Sequence, residues 1–157
     1  IAIFILFCKI GEYMNNSTSY WLKKGIHNGM PIALGYLAVS FTLGIAAKNA
    51  GLTALQAALA SITCHASAGE FAGFTLIAAL AAYTEIAVME LIINARYFLM
   101  SCALSQKLDN KMPFFHRLIM GLFVTDEIFG LTVSVPEKLN PAYMYGMVLV
   151  ASPAWVL

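Results

Sequence analysis

Met30-Pro-Ile-Ala-Leu-Gly-Tyr-Leu-Ala-Val-Ser-Phe-Thr-Leu-Gly-Ile-Ala-Ala47 is an uncharged run of 18 residues between a Lys23/Lys24/His27 flank and Lys48. A transmembrane helix needs roughly 20 mostly apolar residues, with about 17 as the lower limit. The run meets that limit, and Pro31 suits the first turn of such a helix. Strand-type alternation is missing, and the Ala, Leu, Ile and Met content favours a helix over a barrel strand.

The same reading extends outward. Leu52 to Leu104 is a longer apolar territory, interrupted only by His65, Glu70, Glu85, Glu90 and Arg96. Leu118 to Val135 is a third region, with the adjacent acids Asp126-Glu127 at its centre, and Ala142 onward is a fourth. Across all 157 residues, 61% are hydrophobic and only 11% charged. A soluble domain carries about 25% charged residues, because its surface must face water. Disorder, a coiled coil and a polyelectrolyte nucleic-acid binder are excluded, and a net charge of +1 gives no field to recruit an anionic partner. The fold class is therefore all-α, a polytopic helical membrane protein with about four to six membrane segments, one of them re-entrant or broken. Its first partner is the lipid bilayer.

The ends shape the expected organisation. The chain begins with Ile1, Met14 is a natural start, and the last apolar run stops without a polar cap. Residues 1–24 read as an N-terminal tail, with 1–13 as translated upstream sequence, and residues 25–157 as an incomplete transmembrane domain. Cys8, Cys64 and Cys102 lie in apolar stretches without CxxC spacing and read as small buried residues.

Orientation follows from the basic flanks. Lys23-Lys24 place the start of the first helix inside. Lys107, Lys111, His116 and Arg117 against one Asp109 place the 107–117 loop on the same side. An odd number of crossings must then lie between Leu52 and Leu104. One full helix plus a re-entrant hairpin fits that length better than three helices. The natural break is Ala66 to Gly73, where small residues and two glycines surround Glu70. Non-helical backbone at membrane depth is tolerated where it lines a cavity or is buried in protein. The alternative is Gly69-xxx-Gly73 as a helix-packing seam.

Each ionisable group at mid-membrane costs ~2.5–3.5 kcal/mol on insertion scales, so it faces a cavity or a partner. At about 100° per residue, Glu90, Asn94, Tyr97 and Ser101 share one helix face. Glu85 lies too far from Arg96 along that helix to pair with it. Arg96 therefore takes a partner from another segment, and Asp126 or Glu127 is the obvious choice. No HExxH, GxSxG or Gly-rich phosphate loop is present, so no enzyme, cofactor or metal is expected. His65, five residues before Glu70, reads as a buried hydrogen-bonded side chain.

Pro31 to Tyr36, Ala66 to Phe71, Asn94-Ala95-Arg96-Tyr97 and Thr125-Asp126-Glu127 occur in an order that resembles the AzlC family. That family comprises large subunits of bacterial branched-chain amino-acid exporters. The resemblance covers roughly Lys24 to Leu157, lacks the family's last third, and places Glu70 where many members carry Gln. It implies a permease in the bacterial plasma membrane, a small AzlD-type membrane subunit as partner, and secondary transport of leucine, isoleucine or valine. The substrate or coupling-ion candidates are then Glu70, Asn94, Arg96, Thr125, Asp126 and Glu127, with His65, Glu85, Glu90 and Tyr97 behind them. A zwitterion needs an anionic site for its ammonium, which Asp126, Glu127 or Glu70 could supply. It needs a cation or a helix N-terminus for its carboxylate, which Arg96 or the break near Gly69 could supply. Any of these carboxylates could instead carry a coupling proton. A proton- or ion-conducting channel and a non-transporting scaffold are the competing classes.

Overall fold

The computed structural model describes residues 16–109, 112–136 and 138–156. The expectations for residues 1–13 and for Cys8 lie outside the described residues. Among these residues every regular element is an α-helix, as a chain that must satisfy its backbone inside lipid requires. The outward side chains agree: Leu91, Ile92, Phe98 and Leu99 are all exposed. In water such a face is an aggregation liability; against acyl chains it is the expected surface.

Helix α1, Asn16–Asn49, is 34 residues long. It begins well before the expected start, and Pro31 lies inside it rather than in its first turn. The N-terminal extension is held by tertiary contact, which overrides the local stop signal. The Trp21 and Tyr143 rings meet edge to face at 6.0 Å, and Asn28 Nδ2 donates to Tyr143 Oη at 2.8 Å. Both contacts are to α8, Pro141–Val156. A Cβ at Gly25 would overlap the Tyr143 carbonyl, and one at Gly146 would overlap that of Leu22. Small residues thus let the two backbones touch. Tyr36 further along α1 meets Trp155 further along α8, so the helices run parallel and form the centre of the molecule. Tyr143, Met144, Met147, Ala151 and Trp155 are buried between them and their neighbours.

Around this pair stand two hairpins of half-length helices. The first joins α2, Ala54–Cys64, to α3, Ser67–Ala78. At 1.5 Å per residue these span about 16–18 Å, half of a ~30 Å hydrocarbon core. Ser61 on α2 bonds Glu70 on α3 near the turn, which fixes the antiparallel pairing. The turn is His65-Ala66, with His65 left-handed at φ 50° and Ala66 extended. The expected break is therefore present but shorter and earlier. Glu70 and both glycines lie inside α3, because a single left-handed residue suffices to reverse the chain. The second hairpin joins α6, Phe114–Leu122, to α7, Asp126–Ser134, through Phe123-Val124-Thr125.

That second hairpin divides the third apolar region, Leu118–Val135, between two half-length helices. Both of its outer ends lie together: His116 Nδ1 meets Tyr145 Oη at 2.6 Å, and Lys107 Nζ donates to the Val135 carbonyl at 2.6 Å. The two tips meet in the middle, with the His65 and Phe123 rings edge to face at 5.7 Å. Between the hairpins runs the full-length helix, Tyr83–Lys107. It consists of α4, Tyr83–Asn94, and α5, Arg96–Lys107, joined at a tightened turn on Ala95. One hairpin plus one full-length helix is the arrangement expected for Leu52 to Leu104. Lys107 and His116 lie at the same end of the molecule as Trp21 and Tyr143, next to Lys23 and Lys24.

Candidate functional site

The polar side chains converge where the hairpins turn. Thr125 caps α7, its hydroxyl accepting the Ile128 N–H at 3.4 Å. This cap starts the helix with Asp126 and Glu127 in its first turn, where the helix dipole favours negative charge. Arg96 begins α5 and meets that end from the side: its Nη1 lies 2.7 Å from Asp126 Oδ2. The expected ion pair across two helices is present. Its side chains are 42% and 46% exposed in the described chain, so the pair borders an open cleft. The Arg96 guanidinium also lies 5.4 Å from the Tyr97 ring centre, a cation–π distance.

Glu127 points elsewhere, as the expected divergence of adjacent helical residues requires. Its Oε2 accepts from Tyr36 Oη at 2.7 Å, and Tyr36 Oη also lies 2.6 Å from Thr125 Oγ1. A phenol has one proton to give. With Glu127 ionised, Tyr36 donates to the carboxylate and accepts from Thr125, so α1 and the tip of the second hairpin are tied by a directed chain. Tyr36, His65, Ser67, Arg96, Asp126 and Trp155 are among the residues lining the cleft beside it, about 20 Å³ in volume. That is room for roughly one water molecule.

Glu70 stands apart from this cleft. It is 3% exposed, and accepts from Ser61 Oγ at 2.8 Å and from Trp155 Nε1 at 2.9 Å. Glu90 turns into the α3–α4 seam, where it accepts from Asn94 Nδ2 at 2.8 Å. A Cβ at Gly69 would stand 2.6 Å from Glu90 Oε2, and one at Gly73 3.1 Å from Oε1. The glycine pair is thus the packing seam of the alternative reading, shaped around a carboxylate. Asn94, Tyr97 and Ser101 do share a face, and with His65 they line a groove of about 470 Å³ whose other walls include Leu91, Phe98 and Leu122. Nδ1 of His65 and Oδ1 of Asn94 are buried without a partner among the described residues. Glu85 is not brought to the cluster; it accepts from the Ala82 N–H and caps α4 at its outer end.

Sequence reasoning missed Tyr36, Ser61 and Trp155 as members of the site. A lone tyrosine in an uncharged span, or a tryptophan in a terminal apolar run, looks like lipid-facing bulk. The parallel packing of α1 on α8 brings Tyr36 to Trp155, and the α2–α3 hairpin brings Ser61 to Glu70.

The fold and site define an all-helical membrane protein, with two opposed half-length hairpins meeting at a charged centre. Residues 31–157 match the family described as AzlC protein, and the chain belongs to the AzlC family. An uncharacterized membrane protein of Archaeoglobus fulgidus is 33% identical over 140 residues, covering 89% of this chain and 60% of that protein. The inner membrane protein YgaZ of Escherichia coli strain K12 is 21% identical over 137 residues, covering 85% of this chain and 56% of that protein. The chain thus spans somewhat over half the length of these relatives. No solved structure matches it.

Proposed function

We propose that this chain forms the substrate-handling part of a secondary transporter that exports leucine, isoleucine or valine across the bacterial plasma membrane, working with a small AzlD-type membrane subunit. The observation that carries the reading is the juxtaposition of the Arg96–Asp126 pair and the Tyr36-held Glu127 where the two hairpins turn. Such a centre offers both signs of charge to a zwitterion. Glu127 is the acceptor for the ammonium. Arg96, with the N-terminus of α3 beside it, is the donor for the carboxylate. The groove with Leu91, Phe98 and Leu122 takes the aliphatic side chain. Because the cleft holds about one water, an amino acid enters only when the hairpin tips separate.

The site performs no covalent chemistry in this reading. The protein is multi-pass, with its N-terminal tail and the 107–117 loop cytoplasmic. Thiols introduced at Ala50 and Met112 should therefore react with impermeant reagents from opposite sides of the membrane.

The test is counterflow of labelled leucine in proteoliposomes holding the full-length protein and its partner subunit. Flux that saturates with leucine and disappears in Glu127→Gln is expected. Ion flux indifferent to leucine would make the protein a channel, and no flux of either kind would make it a scaffold.

A further inference from the structure

The two oxygens of Glu70 are held by groups that differ in kind. Trp155 Nε1 donates to Oε1 at 2.9 Å, and the Ser61 hydroxyl donates to Oε2 at 2.8 Å. An indole N–H can only donate, so Oε1 is fixed as an acceptor. A serine hydroxyl donates or accepts by rotating about its C–O bond. A proton on Oε2 therefore needs no displacement of any heavy atom: the acid donates to Ser61 Oγ and the indole bond stays. The site is built to hold Glu70 in either state.

Among the described residues, no basic side chain faces an ionised Glu70. The ionisable groups that face it are Glu90 from α4 and Cys64 from α2. From α8 comes the neutral Trp155, and His65 meets the indole ring, at 5.8 Å, as well as Ser152. Arg96 is engaged with Asp126. A carboxylate 3% exposed at this depth is an uncompensated charge unless it takes up a proton.

A second observation supplies the route. A cavity of about 450 Å³ is lined by Ser61, Phe74 and Trp155 at its inner end, and by Lys48, Leu52 and Thr53 at the α1–α2 turn. It connects the outer end opposite the basic loops with both groups that hold Glu70. The same indole meets the Tyr36 ring edge to face at 4.9 Å, and Tyr36 holds Glu127 and Thr125.

We infer that Glu70 is the proton-binding site of the transport cycle, loaded through the cavity from the Lys48 end and sensed at the cleft through Trp155 and Tyr36. The inference rests on the transport reading above. Proton binding here is a simple acid–base step, with water in the cavity as donor and acceptor.

The experiment uses proteoliposomes of the full-length protein with its partner. Leucine counterflow, which needs no net proton movement, is compared with leucine-driven proton movement read by an entrapped pH dye. Glu70→Gln keeps both hydrogen bonds as a neutral isostere, so counterflow is expected to persist while proton movement is lost. Proton movement equal to that of the wild type would overturn the inference. Should that variant fail to fold, Ser61→Ala carries the same test: proton movement slowed more than counterflow supports the site, and equal slowing overturns it. If the wild type shows no leucine counterflow, it is the transport reading that has failed. Infrared difference spectra of the purified protein then decide the proton site. A carboxylic-acid band that titrates with pH and vanishes in Glu70→Gln supports it, and absence of the band overturns it.

Discussion

The two hairpins are the same device in two electrostatic settings. Each pairs half-length helices, turns at the middle of the molecule, and places acids in the first turn of its second helix. The α2–α3 hairpin brings Gly69 and Gly73 against Glu90 and buries Glu70 beside Trp155. The α6–α7 hairpin leaves Asp126 and Glu127 at a cleft where Arg96 can reach, and a Cβ at its Gly130 would meet nothing within 4 Å. The N-terminus of α7 favours negative charge on Asp126 and Glu127, whereas Glu70, in the first turn of α3, is buried with no basic side chain facing it among the described residues. The acids differ in exposure: Glu70 is buried behind Ser61 and Trp155, while Asp126 borders the cleft with Arg96. The close seam at Gly69 on one side and the cleft at Arg96 on the other, rather than the acids themselves, separate the two roles.

The comparison breaks most visibly if the first hairpin tolerates bulk. Gly69→Val should lower the stability of the purified full-length protein by about 3 kcal/mol, at the upper end for overpacking, because its Cβ would meet Glu90, Asn94 and Cys64. A thermal midpoint unchanged from wild type would show that the seam is not tight. The tie at the second tip is next. Tyr36→Phe strips Glu127 of its donor, at a cost of about 2 kcal/mol for a bond to a charged group. Leucine affinity should change with it, while a Glu70 infrared band should not.

The ion pair should be worth less than a sealed one, because it borders the cleft. A double-mutant cycle on Arg96→Gln and Asp126→Asn should give a coupling of about 1 kcal/mol. Strict additivity would make Arg96 an interfacial anchor. The smallest effect has the opposite sign. Nothing lies within 4 Å of a Cβ built on Gly130 in α7, so Gly130→Ala should stabilise by about 0.5 kcal/mol through helix propensity. A loss there would mean that the second hairpin packs against something as closely as the first does.

Much of this contrast was legible in the sequence, and the reason is cost. Charged residues in apolar runs are expensive, so Arg96 had to find Asp126 or Glu127, and that pair is present. A hairpin within Leu52 to Leu104 followed from charge and length. The second hairpin was hidden, because Leu118–Val135 has the length of one crossing and Phe123-Val124-Thr125 holds no glycine or proline. Its turn is set instead by the Thr125 cap, while contacts with α5 and α8 hold its outer ends. The start of α1 was hidden likewise, since Lys23-Lys24 resemble a flank until Trp21 is seen against Tyr143.

The contact between α1 and α8 also bears on how the protein is made. Asn28 and Tyr143 are 115 residues apart in the chain. At a synthesis rate of about 5–20 residues per second, α1 leaves the ribosome roughly 6–23 s before its partner exists. Throughout that interval Gly25, Gly29 and the rest of the seam have no backbone to press against. Until α8 arrives, the seam of α1 must be guarded by lipid or by the insertion machinery.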